Sequence, residues 1–355
     1  MSHLVEDRLT LGFYGIVPFG ALINAHSFFV DEREQYFTNS LHPELYSDRL
    51  TPMSLAVGAG IRVFDWLSLG VNFTLSLSNS ADGNTFVGDS SNLQESLRLS
   101  TRVDAGVGVA PHFSALIEPV EPVDISVTVH SPQMLEITAN SSALLANGTV
   151  QEASRTSVES WLPWTFGLGA TCDVYRSGGH AVSVAAVGTF KVWSDYLDRQ
   201  GERALPGYEW TNTMAGAVGL RYRHADTLAV YADVGFEPTP VPLQTGRSNY
   251  VDNDRVSTSG GLTYTLPLAG WGVSLRLGVQ AQVHFLMERY QAKLDPRLYG
   301  NNPVLVFDEW EDSALNINSE PELEAKGLQT NNPGWPGFGS SGTIFGGVLS
   351  AGILY

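Results

Sequence analysis

From Met53 onward the odd positions read Met53, Leu55, Val57, Ala59, Ile61 and Val63, while the even ones read Ser54, Ala56, Gly58, Gly60 and Arg62. Apolar residues at every second position predict a β-strand with one apolar face. After Phe64-Asp65-Trp66 the pattern resumes, with Leu67, Leu69, Val71, Phe73, Leu75 and Leu77 set against Ser68, Gly70, Asn72, Thr74 and Ser76. Two such runs joined by a tight turn predict an antiparallel hairpin. Each run is about eleven residues, the length a tilted strand needs to cross a bilayer and roughly twice that of an ordinary globular strand.

The same pattern predicts hairpins from Val103 to Ile117 with Val123 to Ile137, Phe166 to Val174 with Val182 to Val192, Met214 to Tyr222 with Leu228 to Phe236, and Leu262 to Leu266 with Val273 to Phe285. With Leu9 to Val17 and a final run from Thr343 to Tyr355, about twelve strands are predicted. Arg62, Arg102, Asp104, His112, Asp124, His130, Asp173, Lys191, Arg221, Asp233, Arg276 and His284 all fall on the polar phase. Alternation alone fits two architectures, because a soluble sandwich also alternates but turns its apolar phase inward. Three features favour a membrane barrel. The polar phase is rich in Gly, Ser and Thr rather than Lys and Glu, the last strand ends on Tyr355, and short turns alternate with long polar connections. Short turns at one end and long loops at the other are the plan of an outer-membrane barrel. Trp66, Tyr175, Tyr222 and Trp271 stand beside the short turns, where an aromatic girdle is expected. The long loops are predicted at about 18–52, 78–101, 138–160, 194–211, 237–255 and 288–342 of a single domain over 1–355.

Composition agrees with this picture. Of 355 residues only 16% are charged against 43% hydrophobic, whereas soluble domains carry roughly a quarter charged. No run approaches the roughly 18 uncharged apolar residues of a helical span. The net charge of -17 and the absence of a Lys/Arg cluster argue against a nucleic-acid partner. Cys172 is the only cysteine, which excludes an intramolecular disulfide and a thiolate metal site. The first residues lack the basic-then-apolar pattern of a secretory signal, so an exported form is expected to carry one upstream.

Several stretches resemble one family. Ser54-Leu55-Ala56-Val57-Gly58-Ala59-Gly60-Ile61-Arg62 running into Asp65-Trp66-Leu67-Ser68-Leu69-Gly70 resembles a hairpin of the FadL family of outer-membrane long-chain fatty acid and hydrocarbon transporters. His130-Ser131-Pro132 is similar to that family's aromatic-Arg-Ser-Pro segment, and Tyr250-Val251-Asp252-Asn253-Asp254-Arg255 to its Pro-Asp-x-Asp-Arg segment, with Val251 in the place of the proline. Leu9 to Gly20 and the terminal Gly352-Ile353-Leu354-Tyr355 fit the same register, although the family mostly ends in Phe. The resemblance implies an all-β, transmembrane, antiparallel up-and-down β-barrel in the outer membrane of a Gram-negative bacterium, with fourteen strands when complete. Nothing here matches the family's Asn-Pro-Ala hatch, so either the chain begins after the hatch and one hairpin, or a smaller barrel closes Leu9 to Val17 directly against Thr343 to Tyr355.

The function implied is passive uptake of hydrophobic small molecules, captured by burial worth about 0.8 kcal/mol per CH₂. The alternative is a general or structural porin. Leu22, Ile23, Phe28, Phe29 and Tyr36 in the first long loop either capture solute or pack the loop onto the rim. Arg62, Lys191, Trp193, Arg221, Tyr231, Arg276 and His284 either meet a carboxylate head group in the lumen or join a charge network with Asp173, Asp233 and Glu237. The acidic stretch Asp308 to Glu324 is either a solvated loop or a divalent-cation bridge to lipopolysaccharide. The eight His show no metal-ligand spacing and Gly339-Ser340-Ser341-Gly342 is no nucleophile elbow, so neither an enzyme nor a metal or cofactor is expected. Expected partners are the solute, outer-membrane lipids and lipopolysaccharide and the barrel-assembly machinery, with the protein a monomer.

Overall fold

A computed structural model describes residues 2–5, 8–16, 53–77, 81–87, 97–104, 106–145, 148–198, 201, 203–204, 209–225, 227–242, 250–268, 273–292 and 337–354. The main sheet has thirteen strands, the first of them only four residues long. In spatial order they are β1 (Ser2–Val5), β2 (Leu9–Ile16), β3 (Met53–Phe64), β4 (Leu67–Leu77), β7 (Val107–Val120), β8 (Val123–His130), β11 (Thr165–Ser177), β12 (His180–Lys191), β13 (Thr213–His224), β14 (Leu228–Glu237), β15 (Arg255–Leu268), β16 (Val273–Ala292) and β17 (Gly337–Leu354). Every pairing is antiparallel between neighbours in the order, the up-and-down plan expected from the alternation.

Two-residue turns close the hairpins at one end, at Asp65-Trp66, Glu121-Pro122 and Gly178-Gly179. Gly178 and Gly179 have φ of 57° and 82°, the left-handed pair that a type I′ hairpin turn requires and that only glycine adopts without strain.

Which face is outside is decided by contacts that skip a strand. Lys191 on β12 bonds Glu237 on β14, Arg223 on β13 pairs with Asp173 on β11, and Tyr231 on β14 donates to Gln280 on β16. Strands lie 4.7–4.9 Å apart, so such bonds form only across the concave side of a curled sheet. The polar phase is therefore the lumen. The apolar phase is convex and exposed, from Leu168 on β11 and Val218 on β13 to Leu349, which is 85% exposed, on β17. A soluble sheet would not display this many large apolar side chains to water. Phe64 stacks on Trp66 at a ring distance of 5.6 Å beside one short turn, and Tyr175 is exposed beside another. The expected girdle position Trp271 lies outside the described residues.

The structure departs from the expected strands at the other end. The predicted strands Val103 to Ile117 and Val123 to Ile137 are each divided, at Gly106 and at Ser131-Pro132, because the chain turns away there. Proline has no N–H for the ladder. Described parts of the predicted loops 78–101 and 138–160 are strands as well. β5 (Ala81–Val87), β6 (Leu97–Asp104), β9 (Gln133–Leu144) and β10 (Val150–Leu162) form a second sheet in the order β10-β9-β6-β5. Its alternation was hidden because both phases are polar: Thr101 bonds Ser141, Thr138 bonds Thr156, and Asn140 bonds Asp104 and Ser154.

This second sheet leans over the barrel mouth. Gln133 Nε2 donates to Ser76 Oγ, both buried, and Leu135 and Ala110 beside them are 1% and 0% exposed. Ser76 and Ala110 belong to the inward phase, so β9 lies against the inner wall. Glycine makes the approach possible, since a Cβ on Gly106 would overlap the Glu136 carbonyl and one on Gly108 would stand 2.5 Å from that of Met134. Replacing Gly106 by Val is expected to lift β9 from the wall at roughly 1–3 kcal/mol, measured as new protease cuts within 133–144 while the barrel stays heat-modifiable. Leu168→Arg, on the convex face, should cost roughly 2–4 kcal/mol in a bilayer and reduce the folded band in refolding. The inward Thr189→Lys should leave it unchanged. Equal tolerance of both would mean that the convex face does not meet lipid.

Candidate functional site

The lumen wall is organised by the register into levels. At the turn end, Asp173, Ser183, Arg221, Tyr231, Gly261 and Gln280 are successive cross-strand neighbours on six adjacent strands. Ser183 Oγ donates to Asp173 at 2.5 Å and Tyr231 Oη to Gln280 at 3.0 Å. Tyr231 reaches across β15 because position 261 is glycine, where a Cβ would stand 2.6 Å from the phenol oxygen. Asp173 also pairs with Arg176 and Arg223. Arg176 shares the inward face with Asp173, three residues away, only because a β-bulge between Asp173 and Tyr175 shifts the phase. Arg176 Nη1 lies 3.3 Å from Glu121 in the neighbouring turn. Asp173, Arg176, Ser183, Arg221, Arg223 and Tyr231 border a cavity of about 810 Å³ whose wall also includes Glu118, Glu121, Asp124 and Asp233.

Toward the other end a second polar level stands on Glu237. Its carboxylate accepts Lys191 Nζ at 2.6 Å and Arg255 Nε at 3.1 Å, so one anion joins cations from β12 and β15. Each of the three side chains is about a quarter exposed.

Between the two polar levels many inward positions of β11 to β14 are small or apolar. They are Gly167 and Gly169 on β11, Ala185 and Val187 on β12, Ala215, Ala217 and Gly219 on β13, and Gly235 on β14. Val187 is 46% exposed, and it is exposed to the interior. Leu116 on β7 and Ile344 on β17 project inward in the same way, while Val348 on β17 projects inward at the turn-end level, opposite Gln280. This part of the wall is thus largely small and apolar on β11 to β13, with Thr171, Thr189 and Asp233 standing within it and Ser257, Ser259, Gln282 and His284 continuing it on β15 and β16.

Above the Glu237 level sits an aromatic cluster that sequence patterning did not reveal. Trp161, Trp193, Tyr196 and Trp210 are each 4% exposed, packed with Val158 and Val241 and with Tyr250 at the edge. Tyr196 and Trp210 stack at 3.8 Å. The cluster draws together the end of β10, a 3-10 turn at Trp193–Asp195, and the segments around 241 and 250. The adjoining segment 252–254 ties it to the outer ends of β16 and β17. Asn253 donates to the Met287 and Ser340 carbonyls at 2.8 and 2.7 Å, Asp254 accepts the Thr239 N–H at 2.7 Å, and Arg289 donates to the Asp252 and Val241 carbonyls.

The predicted lumen residues divide accordingly. Arg62 faces inward on β3; Arg221, Tyr231 and Arg276 lie toward the turn end, Arg276 beside Thr265; Lys191 and His284 lie toward the outer end. Lys191 is committed to Glu237, while Arg221 lines the cavity. Trp193 was expected on the lumen wall and is instead at the centre of the aromatic cluster, because β12 ends at Lys191 and the alternation stops there. Leu22, Ile23, Phe28, Phe29 and Tyr36, and the acidic stretch 308–324, lie outside the described residues. The sequence reading missed Arg176, Ser183, Arg223, Arg255 and Gln280. The readable signal for the last four was membership of the inward phase. For Arg176 there was none, since the bulge alone turns it inward.

No known family profile and no curated protein matches this sequence. Solved structures do. A Pseudomonas aeruginosa FadL homologue matches with a TM-score of 0.52 and 15% identity, over 85% of this chain and 67% of that one. A monoaromatic hydrocarbon channel, CymD, matches at 0.42 and 14% over 65% and 69% of the two chains, and the Ralstonia pickettii toluene transporter TbuX at 0.42 and 12% over 67% and 63%. This chain therefore spans about two-thirds of the length of each. The antiparallel order, the inward polar phase and the match to the crystal structure from Pseudomonas aeruginosa agree: this chain has the β-barrel fold of a FadL homologue.

Proposed function

We propose that this protein is a member of the FadL family that takes up hydrophobic small molecules, fatty acids or hydrocarbons, across the outer membrane of a Gram-negative bacterium. The observation that carries this reading is the stretch of inner wall between the two polar levels where Val187, Leu116 and Ile344 face the lumen among Gly and Ala. A solute without hydrogen-bonding groups gains by leaving water for such a wall, at roughly 25 cal/mol per Å² of apolar surface buried. The polar levels above and below keep the ends wet. The fold shared with a Pseudomonas aeruginosa FadL homologue supports the same reading.

Movement is passive in this proposal, driven by the concentration difference. The exposed convex face meets membrane lipids, insertion uses the barrel-assembly machinery, and the barrel works as a monomer. The second reading, a general porin, draws on the charged levels around Asp173 and Glu237, which resemble a hydrophilic lining.

Purified protein in detergent should bind a fluorescent fatty acid or toluene saturably. Val187→Asp should weaken binding about tenfold, the order expected for one apolar contact replaced by a charge. Proteoliposomes should swell in arabinose no faster than empty vesicles. Rapid swelling without saturable hydrophobic binding would establish the porin instead.

A further inference from the structure

The inner wall holds a histidine pair that the transport reading does not use. Asn72 on β4, His112 on β7 and His130 on β8 are directly opposite one another in the ladder, His112 between the other two. All three belong to the inward phase. The imidazole rings of His112 and His130 meet edge to face with centroids 4.5 Å apart. His112 Nε2 is bonded to Thr74 Oγ1 at 2.8 Å. With Nε2–H donating to that hydroxyl, the ring's lone pair is left on Nδ1.

Two buried atoms here have no partner: His112 Nδ1 and Asn72 Oδ1. Unpaired buried polar atoms are uncommon and costly, and these two belong to directly opposed residues. Both are lone-pair donors in this tautomer, so they do not satisfy one another. On the far side of Asn72 the register places Gly58, which leaves that flank of the row free of a side chain.

We propose that Asn72, His112 and His130 form a transition-metal site in the lumen wall. The ligands are His112 Nδ1, one nitrogen of His130 and Asn72 Oδ1, and Thr74 orients the His112 ring as a hydrogen-bonded partner of a ligating histidine commonly does. Imidazole nitrogens sit about 2.0–2.1 Å from such an ion, so two rings bound at the right angle of a tetragonal Cu²⁺ or Ni²⁺ site have centroids roughly 4.5 Å apart. The observed separation matches. Two imidazoles and an amide oxygen suit Cu²⁺, Ni²⁺ or Zn²⁺. Among the described residues no three His, Cys, Asp or Glu side chains converge, so the site carries no ligand charge, and its affinity is set by the two imidazoles.

A second histidine pair supplies an internal control. His180 and His224, on the convex phase near a short turn, also have centroids 4.5 Å apart. Their Nδ1 atoms lie 3.3 Å from each other, and His180 Nδ1 is 2.7 Å from Tyr222 Oη. These nitrogens already have partners, and no orphaned atom stands beside them.

The test is Cu²⁺ titration of the full chain, purified without a histidine tag, followed by calorimetry and by the nitrogen hyperfine pattern in electron paramagnetic resonance. One equivalent should bind with coupling to two imidazole nitrogens. His112→Ala and His130→Ala should each weaken binding at least tenfold, while the double variant His180→Ala, His224→Ala should retain it. Asn72→Asp adds a negative ligand without removing an imidazole and should tighten binding about tenfold. The heat-modifiable band identifies folded material in every case. The proposal is overturned if folded protein binds no Cu²⁺, if Asn72→Asp has no effect, or if the convex pair proves to hold the metal.

Discussion

A single sheet that serves as a wall leaves each residue only two destinations, lipid or lumen, and the rest of this structure follows from that constraint. Successive side chains in a strand point to opposite faces, and backbone groups in a bilayer must be bonded within the sheet. The convex face is accordingly aliphatic and aromatic, and among the described residues the ion pairs that bridge non-adjacent strands lie on the concave face. The usual meaning of burial is thereby inverted. Leu349 and Phe345 are among the most exposed residues, whereas Ser76 and Gln291 have no exposure at all.

A closed choice between two faces makes departures from alternation informative. The bulge beside Asp173 places Arg176 on the lumen side and so binds the neighbouring turn, through Glu121, to the charged floor. Gly261 gives Tyr231 passage over a strand, and Gly106 and Gly108 let the β9 backbone rest on the inner wall. At each of these positions the local rule yields to a contact made from elsewhere. The orphaned row of Asn72 and His112 is of the same kind, since alternation places both inward and no neighbour then completes their bonding.

The outer end obeys different physics. Beyond the membrane span a two-faced strand is no longer required, and stability has to come from an ordinary core. The aromatic cluster around Trp193 supplies one, with four large rings almost fully buried and a seam of side-chain to carbonyl bonds through Asn253 and Arg289. The second sheet uses side-chain hydrogen bonds instead, with Ser, Thr and Asn on both faces. Outer segments that would otherwise be independent loops are thus joined to one another and to the barrel mouth.

The strands of the wall, their antiparallel order and the sorting of ionisable groups to one face were legible in the sequence, because a strict period of two leaves little else for the chain to form. Met53 to Leu77 carried that message nearly unaided, and the structure pairs it in one register from Met53 opposite Leu77 to Arg62 opposite Ser68, with a bulge only at Val63 beside the turn. Tertiary structure decided what has no period. It chose the concave face as the polar one, split the strands at Gly106 and Ser131-Pro132, and turned Arg176 inward. It also took Trp193 out of the lumen and set Asn72, His112 and His130 in one row. Alternation states on which face of a strand a residue lies; only curvature and strand register state what it meets there.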